Sequence, residues 1–190
     1  MPPTLKGLKI LFVVAPTGFH EQELATSRRI LEEAGAVAVL ATTAGNEAVS
    51  SEGTTVETLP ITEPRTQEMA GAVVIGGTGA AEHLWENGLV QKAVRMVERD
   101  GKPVGALSQG VVVLARAGML QGKAATTWVS ADTLKALKDG GARYEKKPLV
   151  IAGSILTADG PASAERFGVL LRDMIDASRQ RSGAIPRPVR

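Results

Sequence analysis

The sequence predicts one α/β domain, with a mostly parallel central sheet and helices on both faces. Two patterns carry that expectation. Short runs rich in Val, Ala, Leu and Ile recur at Leu8–Ala15, Val37–Ala41, Ala72–Ile75 and Pro103–Leu107, followed by Pro16, Thr42, Gly76 and Ser108. Stretches of helical period lie between them. Composition agrees: hydrophobic residues are 44% of the 190 and aromatics only 3%, and small or branched apolar side chains suit strands buried on both faces.

Each element has a local reason. Leu8–Ala15 reads as a buried first strand, broken by Pro16, Thr17 and Gly18. Glu21–Ala34 turns helical, with early acids, Leu24, Ile30 and Leu31 facing a core, and Gly35 as its closing glycine. Val37–Ala41 is a second strand. The Thr-rich segment 42–66 has room for short strands such as Thr55–Leu59. Ala72–Ile75 leads into Gly76-Gly77-Thr78-Gly79, then helices near Ala80–Trp85 and Val90–Arg99. Pro103–Leu107 runs directly into Ser108, and Gln109–Ala117 is helical up to Gly118. A short strand near Lys123–Thr126 precedes a helix at Ala131–Lys138. Val150–Thr157 reads as a hairpin interrupted by Gly153, and Gly160-Pro161 opens a last helix to about Ser178. Residues 1–178 thus form one domain, and the basic tail 179–190 is expected to be disordered.

The net charge of +2 is misleading. Arg179, Arg181, Arg187 and Arg190 supply it from the tail, and the rest of the chain is net acidic. A nucleic-acid face is therefore not expected, and so few aromatics give no base-stacking platform. The absence of cysteine excludes disulfides, thiolate metal sites and thiol nucleophiles, and two histidines are too few for a histidine-rich metal site. No cofactor is implied. No apolar run reaches membrane-spanning length, and a cytoplasmic protein is the default.

In such sheets ligands sit beyond the carboxyl ends of strands where the strand order reverses. That directs attention to Pro16–Glu23, Gly76–Trp85 and Ser108–Gly110. Ser108, between a buried strand and a helix, is placed like the nucleophile of an elbow, although Ala106 replaces the first glycine of that motif. It could equally cap the following helix. A serine nucleophile needs a base, and His20 or, less favourably, His83 could supply one. Glu21 and Glu23 lie in the first turn of a helix; one could enter the Ser108 pocket, and both suit the helix dipole. Gly76 to Gly79 lack the spacing of a dinucleotide or phosphate loop. They could form a tight turn or an oxyanion site in which the Gly77 and Gln109 amides converge. Trp85 and Trp128 could line a pocket or anchor the core.

Six segments in this order resemble the ThiJ/PfpI family, also called the DJ-one superfamily, among the class I glutamine amidotransferase-like folds. They are KILFVVAPTGFHEQEL, LEEAGAVAVLAT, AVVIGGTG, GKPVGALSQGVVVLARAGMLQGKAATTW, LKALKDGGARYEKKPLVI and LTADGPASAERFGVLL. The resemblance spans roughly Leu8 to Ile175 and implies a flavodoxin-like three-layer sandwich and a homodimer or larger homo-oligomer. It also implies a site. The family elbow reads Ala-Ile-Cys-His-Gly, so Ser108 stands at the nucleophile cysteine and Gln109 at the histidine. Glu23 matches the family acid that touches that cysteine, and Gly76 and Gly77 match the oxyanion Gly-Gly. Ile75 replaces a common proline. Family activities include peptidase, glyoxalase, deglycase-like and isocyanide hydratase chemistry, with chaperone and stress roles, and most depend on a thiol. A serine alkoxide forms far less readily than a thiolate. Two readings follow. One is a family member without thiol-dependent activity that keeps the elbow as a small-molecule site, with a role in stress. The other is a Ser108-dependent hydrolase or lyase, with Glu23 or His20 as base.

Overall fold

The structure is a computed structural model, and it describes residues 4–183. In chain order the elements are β1 (Lys9–Val13), β2 (Thr17–Phe19), α1 (Glu21–Glu33), β3 (Val37–Thr42), β4 (Glu47–Ser50), β5 (Thr55–Glu57) and β6 (Leu59–Pro60). Then come β7 (Met69–Val74), α2 (Ala80–His83), α3 (Gly88–Arg99), β8 (Val104–Leu107) and α4 (Val111–Arg116). The last are β9 (Ala124–Ala125), α5 (Ala131–Asp139), β10 (Arg143–Tyr144), β11 (Leu149–Ala152), β12 (Ile155–Ala158) and α6 (Ala164–Gly183).

A seven-stranded sheet runs in the order β11-β12-β8-β7-β1-β3-β6. Its pairings are parallel except β11 with β12, the hairpin closed at Gly153 and Ser154. Strand β1 explains why both faces must be covered. Leu11 and Val13 pack on one side with residues of α3, α4 and α5, while Ile10 and Phe12 pack on the other with residues of α1 and α6. Alternate residues of a strand point to opposite faces, so a continuous apolar run demands two helical layers. The architecture is the flavodoxin-like sandwich expected.

After β1 the chain first builds β3 and β6 to one side and later β7, β8 and β12 to the other. The order therefore reverses between β1 and β7, and in such sheets the crevice for ligands lies beyond the carboxyl ends of the strands there.

Three local features differ from the sequence reading. Thr17–Phe19, read only as a break, is a strand that joins β4 and β5 in a separate three-stranded sheet. Arg143–Tyr144 pairs in parallel with β9. Helix α6 continues past Ser178 to Gly183, because Asp176 accepts from Arg179 at 3.1 Å and from Gln180 at 2.8 Å. The first part of the proposed tail is thus helical, and residues 184–190 lie outside the described residues. Among the described residues no helix is long and apolar enough to cross a membrane.

Candidate functional site: the elbow at Ser108 and the cleft beside it

Strand β8 delivers Ser108 to the crevice in extended backbone, and a 3-10 turn at Ser108–Gly110 leads into α4. The turn is sharp enough that Ser108 adopts a φ of 50°, the one positive value among the described residues other than glycine. That left-handed conformation costs a residue with a side chain about 1 kcal/mol or more, so surrounding contacts must hold it. Two of them are visible. The Thr127 hydroxyl donates to the Ser108 carbonyl at 2.7 Å, and the Trp85 indole Nε1 donates to the Gln109 carbonyl at 2.8 Å. Gly110 lets the turn lie against β7, since a Cβ there would stand 2.8 Å from the Val74 carbonyl oxygen.

The Ser108 hydroxyl donates to Glu23 Oε1, and the Gly76 amide donates to Glu23 Oε2 at 2.9 Å. Glu23 reaches this point from the first turn of α1 and is fully buried, and Ser108 is 4% exposed. Burial pushes the Glu23 carboxyl above its ordinary value of 4.5; the bonds from Ser108 and Gly76, and the nearby His20, pull it back only in part. A carboxyl so placed holds its proton to a higher pH than one in water.

The remaining sequence candidates fall around this pair. Gly76 spends its amide on Glu23 and its carbonyl on the His20 amide at 2.9 Å. Gly77 has a φ of 119° and packs against Gly18–His20, where a Cβ would lie 2.3 Å from the Gly18 carbonyl oxygen. His20 is the N-cap residue of α1, and its Nδ1 is buried without a hydrogen-bond partner. The Ser108 hydroxyl is directed at Glu23 and not at either histidine. His83 Nε2 instead lies 3.2 Å from Thr17 Oγ1. Glu21 turns to Ser50, whose hydroxyl donates to it at 2.9 Å. Gln109 contributes its backbone carbonyl to the Trp85 contact. Among the described residues no group of three or more His, Asp or Glu is arranged to hold a metal ion.

A second feature was foreshadowed in the sequence only at Trp128, read there as a residue that could line a pocket. A cleft of about 520 Å³ opens between the segment Thr126–Val129, the segment Tyr144–Pro148 and the start of the last helix at Asp159–Ala162. Gly160 joins it to the elbow: a Cβ there would stand 3.2 Å from the Trp128 ring and 3.9 Å from the Ser108 hydroxyl oxygen. The available signal was the position of Trp128 and of Gly160-Pro161 within segments already singled out.

Comparison with known proteins bears on the fold and the family. The chain is 33% identical over 178 residues to an uncharacterized protein of Methanocaldococcus jannaschii, covering 93% of this chain and 86% of that one. It is 28% identical over 166 residues to protein dj-1beta of Drosophila melanogaster, covering 86% and 87%. The crystal structure of a ThiJ/PfpI domain protein from Brachyspira murdochii superposes with a TM-score of 0.85 at 25% identity, covering 90% of this chain and 98% of that one. The DJ-1/PfpI family model matches residues 8–173, which include β1, the elbow and the first half of the last helix. With its strand order and the turn at Ser108 set in that matched span, the chain belongs to the DJ-1/PfpI family.

Proposed function

We propose that this protein is a family member without thiol chemistry that uses the elbow as the polar end of a small-molecule pocket. The observation that carries the reading is the Ser108–Glu23 contact. In the family the acid faces a cysteine; here Ser108 occupies that place, and the chain contains no cysteine. A serine hydroxyl becomes a nucleophile only when a base removes its proton. Its partner is a carboxyl that burial pushes above 4.5, so it keeps its proton to a higher pH than a carboxyl in water. Ser108 is bonded to Glu23 and is the polar group of the elbow that lies next to the cleft, across Gly160. The cleft beside it falls within the roughly 300–1,000 Å³ of small-molecule sites.

Labelling with a fluorophosphonate probe tests the reading. Wild type and Ser108→Ala are expected to label equally weakly. Strong labelling lost in Ser108→Ala would overturn it in favour of a Ser108-dependent hydrolase or lyase, the reading that the strained backbone at Ser108 favours.

The same reading extends to a homodimer or larger homo-oligomer and to a cytoplasmic stress role, both resting on the family resemblance. Light scattering during size exclusion should give at least twice the mass of one chain, and a monomer at micromolar concentration would remove the first. Unchanged survival of a deletion strain under oxidative challenge would remove the second.

A further inference from the structure

We infer that the cleft beside the elbow binds a planar aromatic carboxylate, with its ring on Trp128 and its acid group at Lys146. The proposal rests on the pocket reading above and names the ligand class of that site.

Trp128 is 51% exposed and Val129 57% exposed, although the segment preceding them is buried. A large apolar ring is seldom left in water without use. Here it lies in a concavity with Tyr144 and two prolines, Pro148 and Pro161, which add apolar lining around the ring. The ring has space in front of it because residue 160 is glycine. A side chain at that position would press on Trp128 and stand between the cleft and the Ser108 hydroxyl.

Charge selects the polar end of the ligand. Two lysines and one aspartate line the cleft. Lys147 is held by Glu145 at 2.6 Å, and the Asp159 carboxylate accepts from the Ser163 hydroxyl at 2.6 Å. Lys146 is the lining cation with no ion pair among the described residues. A carboxylate on the ligand would complete it. Thr126 adds a further polar group: it is fully buried in the same wall, and its hydroxyl has no hydrogen-bond partner.

The test is calorimetric titration of the full chain with 2-naphthoate, with 2-naphthalenemethanol (same ring, no charge) and with cyclohexanecarboxylate (charge, no aromatic ring). Saturable binding of 2-naphthoate is expected, with both controls weaker. Trp128→Ala should weaken 2-naphthoate about tenfold or more, as expected for loss of an aromatic anchor. Lys146→Gln should weaken it up to about fivefold, the range of one exposed ion pair, and leave the neutral analogue unchanged. Melting curves confirm that each variant is folded; both side chains are exposed enough for substitution to be tolerated. Binding of 2-naphthoate no tighter than the alcohol, or indifferent to Trp128→Ala, overturns the proposal. So does concentration-dependent protection of Trp128 from acrylamide quenching without ligand, which would make a second copy of the chain the occupant. The elbow reading fails separately, through strong fluorophosphonate labelling that is lost in Ser108→Ala.

Discussion

The elbow and the cleft are neighbours built in opposite ways. At the elbow four polar groups are committed: the Ser108 hydroxyl and Gly76 amide to Glu23, the Ser108 carbonyl to Thr127, the Gln109 carbonyl to Trp85. In the cleft the ring of Trp128 is half in water, and the Thr126 hydroxyl has no partner. The difference separates two tasks. A strained turn around a buried carboxyl requires many contacts and tolerates little change, whereas a recognition surface leaves its contacts for a ligand to complete.

Substitutions should follow that contrast in size. The largest effect is expected from Gly77→Ala, where both a left-handed φ and a 2.3 Å approach to the Gly18 carbonyl oxygen oppose a Cβ. A loss of about 3 kcal/mol or more, or failure to fold, should appear in denaturant unfolding. Near-normal stability would mean that the loop is loosely held.

Glu23→Ala comes next, at about 3 kcal/mol, because it leaves the Gly76 amide and the Ser108 hydroxyl unpaired inside the protein. Glu23→Gln separates charge from shape. The carboxyl is raised above 4.5 in the folded state, so the stability it contributes is fully present below that pH and is lost as pH rises through its folded value. Glu23→Gln cannot ionise. It should match the wild type near pH 4 and exceed it increasingly as pH rises from 4.5 to the folded value of the carboxyl, with a constant advantage above that, in thermal melts. A wild-type advantage that grows with pH would contradict the raised carboxyl.

The two clamps on the turn should matter less. Thr127→Val and Trp85→Phe each remove one donor to a carbonyl, and each should cost about 1–2 kcal/mol. The smallest effect belongs to the cleft: Trp128→Ala should change stability by less than about 0.5 kcal/mol, since its ring is half exposed. A large loss there would make Trp128 part of the core.

The parts of this molecule written in short-range pattern were legible in its sequence. The four apolar runs became β1, β3, β7 and β8, because burial on both faces leaves little choice of residue. Ser108 was legible as a turn because a strand runs into a helix there. Glu23 was distinguishable from Glu21 only through family resemblance, as both sit in one helical turn and face different partners. The clamps by Thr127 and Trp85 join residues about twenty positions from the elbow and leave no local period. The cleft was legible only at Trp128 for the same reason, since three separate segments build it. Strands β2 and β10 are two or three residues long and depend on their pairing partners, not on their own composition.

The central claim is that burial holds the Glu23 carboxyl toward its protonated form against Ser108. Carbon-detected NMR titration of the Glu23 side-chain carboxyl tests it most directly. The account predicts a midpoint clearly above 4.5 that falls toward 4.5 on unfolding. A midpoint at or below 4.5 in the folded protein would make Glu23 a carboxylate at neutral pH, and would put an ionised base beside Ser108.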